Sequence, residues 1–361
     1  MMIRKYLALF FLVAAVGQGR LRAQTAGFHD PHIRYTGRIA FTDSAAILAW
    51  TATSVKINFS GTGMDALMKD ELGENTYNVV VDGQVVSLLH PDNTKKVYTL
   101  VSGLANGDHQ LELFKRTEWA MGKTAFFGFL PGRFKSRLLS PPAHSKRKLE
   151  IFGNSITCGY AVEDTTGQDR GTAPFENGYI SYGAILARHY GADYVCTSKS
   201  GIGIAISWFP LIMPEMYNRL DAADSNSVWN FSAYQPNLII VNLFQNDSWL
   251  VNMPDNPQFK ARFGEKAPTA QYFVDAYAGF IRQLRLQYPK SKILCMLGSM
   301  DATRAGSPWP GYVNVAVGAL NDPLVYTHFI PFKNTPGHPN AKEQEEMAKD
   351  LEQYIDSHIP W

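Results

Sequence analysis

The stretch Leu149-Glu150-Ile151-Phe152-Gly153-Asn154-Ser155-Ile156-Thr157-Cys158-Gly159-Tyr160 decides the fold. Its first four residues read as a buried strand, and Gly153-Asn154-Ser155 then break it. In an open α/β sheet, ligands bind beyond the carboxyl ends of the strands, so Ser155 is expected to face that crevice. Gly153 permits a sharp turn, and the start of a following helix offers N–H groups to an oxyanion. A serine at a strand-to-helix junction is also an ordinary helix cap, and taken alone the segment favours that reading.

Downstream, the pattern repeats as strand then helix. Apolar runs at 149–152, 194–196, 238–244, 293–297 and 325–330 are separated by helical stretches, clearest at 179–190, 269–288 and 341–355. Within 269–288, Phe273, Tyr277, Phe280, Ile281 and Leu284 recur at spacings of three and four, which gives one buried face. Such alternation predicts a parallel sheet covered by helices on both faces. Upstream, the texture differs. Short β runs broken by Gly, Asp and Asn fill 25–140, and Asp82-Gly83 between two of them predicts a hairpin. This part reads as an all-β sandwich, jelly-roll-like. The polar, Pro-containing stretch 141–148 reads as a linker to an α/β domain at 149–361. A chain of 361 residues suits two domains.

Three further segments end strands of the same sheet. Gly337-His338-Pro339-Asn340 follows the last apolar run, and a histidine titrating near neutrality suits a base for a serine hydroxyl. Ser198-Lys199-Ser200-Gly201 follows the second strand, where the Gly201 N–H is a candidate donor. Asn242-Leu243-Phe244-Gln245-Asn246-Asp247 follows the third, where the Asn246 amide is another. Two or three fixed donors around an oxyanion are worth several kcal/mol in acyl transfer. Singly, each has a blander reading: a solvated loop histidine, a loop glycine, an Asx turn. Together, four candidates stand after four separate strands in the order Ser, Gly, Asn, His.

That order resembles the SGNH (GDSL-type) hydrolases over the whole C-terminal part. The N-terminal part sharpens the likeness. Phe59-Ser60-Gly61-Thr62-Gly63, then Val79-Val80-Val81-Asp82-Gly83, then Gly107-Asp108-His109 leading into Phe114-Lys115-Arg116-Thr117-Glu118, is similar to the N-terminal sandwich of carbohydrate esterase family two. Members of that family carry a Gly-Asp-Ser-Ile-Thr-Cys-Gly-Tyr block, matched from Gly153 to Tyr160 except at Asn154. The resemblance implies a secreted deacetylase of acetylated plant polysaccharides such as xylan or glucomannan. It implies Ser155 as nucleophile, His338 as base, and Ser155 N–H, Gly201 N–H and Asn246 as the oxyanion hole. Three departures stand out. Asn154 replaces an Asp; Phe244 replaces a Gly and is expected to narrow the site; and Thr335 and Pro336 hold the places of the acid expected before the histidine. A Ser–His dyad follows, with His338 oriented by a backbone carbonyl or a distant carboxylate. The alternatives to a deacetylase are a carbohydrate-binding protein with weak turnover, and a lipase or thioesterase of the same superfamily. Trp249, Tyr160, Trp208 and Trp309 are candidate sugar-stacking faces, with Trp249 and Tyr160 favoured and packing the expectation for Trp309.

Several other signals are excluded. Gly61-Thr62-Gly63-Met64-Asp65-Ala66 fits a dinucleotide fingerprint, but the next element reads as a strand and not a helix. Gly122-Lys123-Thr124 lacks the upstream glycine of a phosphate loop, and no Gly-x-Ser-x-Gly elbow exists. Cys158, Cys196 and Cys295 are too few and too widely spaced for a disulfide framework or a zinc site, and no metal or organic cofactor is expected. Residues 1–24 combine a basic start with a run of about 12 apolar residues, the pattern of a cleavable export signal and not of a membrane span. They hold Arg4, Lys5, Arg20 and Arg22 and no acid, so the formal charge of +2 for the whole chain becomes −2 for the rest. A near-neutral body gives no electrostatic reason to expect nucleic acid or a membrane as partner. It suits an uncharged acetylated glycan.

Overall fold

The computed structural model describes residues 25–361; the expected export signal lies outside them. Ten antiparallel strands between Ala26 and Leu138 form one connected sheet. Two of them, Ser54–Asp70 and Lys96–Lys115, are long enough to carry several partners each. In the first, the side chains of Val55, Ile57 and Phe59 point into the core, and so do those of Met64, Ala66 and Met68. The inward set thus changes from odd to even numbers. A register shift at Gly61 to Gly63 makes the switch, since one unpaired residue turns every later side chain to the opposite face. The false dinucleotide fingerprint lies inside this continuous strand. The Asp82-Gly83 hairpin forms as predicted, both residues having positive φ as a tight two-residue turn requires.

From Lys148 onward the sheet is parallel. Its five strands lie in the order Asp193–Ser198, Lys148–Gly153, Leu238–Asn242, Lys292–Leu297, Val325–Phe329. The first strand in sequence therefore sits between the second and the third, and the crevice where the order reverses is the usual ligand site of such sheets. Both faces are buried. Ile239, Val241, Ile293 and Cys295 pack against Phe273, Tyr277, Phe280 and Leu284 of the helix Ala270–Gln287. On the other face, Ile151, Ile240, Leu294 and Met296 meet Tyr182 and Leu186 of the helix Tyr182–His189 and Met347, Leu351 and Ile355 of Ala341–His358. Strands covered on both sides lack polar alternation, which is why the central pair, Leu238–Asn242 and Lys292–Leu297, read as nearly unbroken apolar runs. The helix Trp309–Gly318 was not foreseen; Trp309 is buried against Phe244 and Phe273, as packing predicts. Among the described residues no helix is long and apolar enough to cross a membrane.

Candidate active site

Register aligns the carboxyl ends. Gly153 pairs with Ser198 on one side and with Asn242 on the other, so the loops after three strands open side by side. Ser155 begins a one-turn helix, Ser155–Cys158, capped by the Asn154 side chain, which accepts from the Ile156 N–H at 3.1 Å. Gly153 is needed here for closeness and not for turning, because its φ is not positive. A Cβ there would lie 2.0 Å from Thr157 Oγ1. Both the cap and the candidate nucleophile thus belong to one junction.

The loop carrying His338 folds back over this junction. His338 Nε2 lies 2.8 Å from Ser155 Oγ, while its Nδ1 lies 2.9 Å from both carboxylate oxygens of Asp169. The His338 N–H also donates to Asp169 at 2.8 Å. The dyad expected from sequence therefore gives way to a three-residue chain, its third member a distant carboxylate. Asp169 sits in a ring closed by Asp164, whose carboxylate accepts from Thr166 and from the Arg170 N–H and guanidinium. Burial pushes the Asp169 carboxyl up, but the hydrogen bonds and charge of His338, with Lys333 nearby, outweigh this and hold it below the usual range. Sequence reasoning missed Asp169, and the one available signal was a polar, Asp- and Gly-bearing turn soon after the nucleophile segment.

The oxyanion candidates converge on the same place. Gly201 has φ +81, a left-handed conformation that suits a residue without Cβ. The Asn246 amide is buried and its orientation is fixed, because Oδ1 accepts from Trp208 Nε1 at 3.0 Å and Nδ2 donates to Ile202 O at 2.8 Å. One hydrogen of Nδ2 remains for a ligand. Asp247, fully buried, accepts from the N–H groups of Ile204, Ala205 and Ile206 and so pins the loop after Gly201; burial pushes its carboxyl up to about 6. A second carboxylate reaches this loop from the antiparallel part. Glu118 accepts from the Ser200 N–H at 2.9 Å and its own N–H donates to Glu176 at 3.0 Å. Burial, with the neighbouring Glu118 charge, pushes Glu176 well up, and burial lowers the nearby Lys115 ammonium to about 8.

Ser155, Gly201, Asn246 and His338 all line one cleft of about 500 Å³. Tyr160, Trp208 and Trp249 form aromatic parts of its wall, and Trp309 does not. The Tyr160 ring lies 4.5 Å from that of His338, above Gly171, where any Cβ would collide with it. Trp249 is held by Asp301 at 3.0 Å. Phe244 does not narrow the cleft. It points into the core against Tyr277, Phe273 and Trp309, and its φ of +83 shows that the position demands a glycine-like backbone, not a small side chain. Cys158, Cys196 and Cys295 are buried free thiols. Among the described residues no cluster of metal-ligating side chains forms.

Known proteins match this architecture. The family model for the carbohydrate esterase 2 N-terminal region matches residues 35–142. The cellulase/esterase CelE of Acetivibrio thermocellus is 34% identical over 355 residues, which cover 94% of this chain and 41% of that protein. The chain thus spans well under half the length of that relative. An acetylxylan esterase / glucomannan deacetylase of Cellvibrio japonicus is 24% identical over 93% of this chain and 92% of its own. Among solved structures, a family two carbohydrate esterase from Clostridium thermocellum in complex with cellohexaose superimposes with a TM-score of 0.79. It is 33% identical, with 90% of this chain and 98% of that chain covered.

Proposed function

The chain belongs to carbohydrate esterase family two, and from that membership we propose that it releases acetate from O-acetylated plant polysaccharide, xylan or glucomannan, through a serine acyl-enzyme. The observation that carries this reading is the contact of 2.8 Å between Ser155 Oγ and His338 Nε2, with Asp169 on the far side of the ring. The Asp169 carboxylate accepts a hydrogen bond from Nδ1–H, so Nε2 is left as the acceptor facing the hydroxyl. Ser155 Oγ then attacks the acetyl carbonyl carbon as His338 takes its proton. The oxygen that becomes negative is met by the N–H groups of Ser155 and Gly201 and by Asn246 Nδ2. Collapse breaks the bond from the carbonyl carbon to the sugar oxygen, which takes the proton from His338 and leaves as a hydroxyl, with an acetyl ester on Ser155. Water, deprotonated by the same histidine, attacks the acyl carbon; the bond to Ser155 Oγ breaks, the serine recovers the proton from His338, and acetate departs.

Tyr160 and Trp249 are sugar-stacking faces of the cleft. Residues 1–24 direct export, and 25–140 and 149–361 are the two domains. No metal or organic cofactor takes part. The contact of Asp169 with His338 supports turnover over a binding protein, a reading that rested on the lack of an acid beside His338. Acetate release from acetylated xylan and glucomannan, compared between wild type and Ser155→Ala, tests the proposal. The expected loss is at least about 10³-fold. Serine-independent release, or a preference for long acyl chains over acetyl, would overturn it.

A further inference from the structure

The cleft holds a cation for which the reaction above has no use. Lys199 follows the strand Asp193–Ser198 directly, two residues before Gly201, and lines the cleft with Ser155 and His338. Its Nζ lies 4.2 Å from the ring centroid of Trp119 and 4.1 Å from that of Phe209. The two rings come from different parts of the fold: Trp119 from the turn Trp119–Met121 after the last long antiparallel strand, Phe209 from the loop beyond Gly201. Among the described residues Lys199 makes neither an ion pair nor a hydrogen bond through its ammonium. The other charged residue in the wall, Glu118, is buried and engaged by the Ser200 N–H.

A lysine on a surface ordinarily samples many rotamers, and fixing it on one partner loses that freedom, which is why exposed ion pairs are weak. Here the aromatic faces attract the ammonium and hold it in place before any ligand arrives. The unsatisfied side of such a cation, facing a glycan cleft, calls for an anion on the glycan. In plant polysaccharide the group that carries such a charge is chiefly the carboxylate of a uronic acid, which takes charge-assisted hydrogen bonds from an ammonium. We propose that Lys199 is a carboxylate-recognition point, so that this site favours acetylated glycans carrying a uronic acid near the acetyl ester. The inference rests on the deacetylase reading for its substrate, but binding tests it separately.

The experiment uses acetylated xylo-oligosaccharides with and without a uronic acid substituent. For wild type, Lys199→Met and Lys199→Arg, the readout is the ratio of kcat/KM on the charged over the neutral substrate. The expected result is a ratio about 5- to 20-fold lower in Lys199→Met, largely kept in Lys199→Arg, and falling in wild type as salt rises. An unchanged ratio overturns the proposal, whether both rates fall together, as a role in holding the loop predicts, or neither does. The same pair of deacetylated oligosaccharides is titrated by calorimetry into Ser155→Ala, with and without Lys199→Met. A charge preference that depends on Lys199 supports the inference even if wild type releases no acetate, in which case only the deacetylase reading falls. Equal affinities overturn it.

Discussion

At the scale of single residues, the candidate triad turns on which nitrogen of His338 carries the proton. Asp169 touches Nδ1 with both oxygens, and an asparagine in its place presents an amide donor that reverses the tautomer. Asp169→Asn is therefore expected to lower kcat by about 10²- to 10⁴-fold on an acetyl ester with little change in KM, as measured by steady-state kinetics. An unaltered kcat would mean that something else orients the ring. A stability consequence has a definite sign. The folded-state pKa of Asp169 lies below its unfolded value, so its contribution is present above that unfolded value, near 4, and is lost as pH falls through the folded one. Wild type is expected to lose more stability than Asp169→Asn between about pH 5 and pH 3. Ser155 and His338 were legible as candidates because each follows a strand of one sheet, and topology brings the segments after such strands together. Asp169 was not, because it comes from an aperiodic turn, and nothing in the order of a single chain says which turn folds over which loop.

At the scale of elements, the loop after Asp193–Ser198 is held from both sides. Asp247 binds it beyond Gly201, and Glu118 binds it before, through the Ser200 N–H. Gly201 lies between these two anchors, and a donor helps an oxyanion only if it stays where charge develops. Glu118→Ala leaves the half-buried Ser200 N–H without its acceptor and frees that end of the loop. The expected outcome is a kcat lower by about 10- to 100-fold with KM within about threefold, and partial recovery in Glu118→Gln, whose carbonyl can still accept. Equal losses in the alanine and glutamine variants would instead point to charge, and a change in KM alone to substrate contact. Phe244 shows how far such elements can be read from sequence. Its departure from glycine was visible, but its consequence was misjudged, because the letter tells of a large side chain and not of a φ of +83. The backbone accepts the strain, on the order of 1–2 kcal/mol, because the ring is buried among Tyr277, Phe273 and Trp309.

At the scale of the molecule, sequence reading separated the β-rich part from the α/β part at a Pro-containing stretch but left them joined by that stretch alone. The structure joins them through buried charge. Arg38, from the antiparallel part, meets Glu150 of the first parallel strand at 2.8 Å, with both side chains fully buried. The same guanidinium donates to Tyr217 O and Arg219 O, while Glu150 also accepts from Thr197 and Tyr288. Arg34 with Asp193 and Arg116 with Glu163 repeat the theme nearer the rim. Little of this shows in the chain: Glu150 stands inside a run read as a buried strand, but nothing there names Arg38, more than a hundred residues away, as its partner. A buried pair of this kind is weak evidence for stability as a pair, but removing one partner strands the other charge away from water. Arg38→Met is accordingly expected to lower the unfolding free energy by about 3–5 kcal/mol, read from the midpoint of the first denaturant transition. Adding Glu150→Gln removes the stranded charge and should recover part of that loss, about 1–3 kcal/mol. Because the pair ties the two sheets together, wild type should unfold in one transition by far-UV circular dichroism and by tryptophan fluorescence. Arg38→Met is the variant in which the two signals would separate. A loss below about 1 kcal/mol with coincident transitions would mean that the packed surfaces, and not the buried ions, couple the two parts.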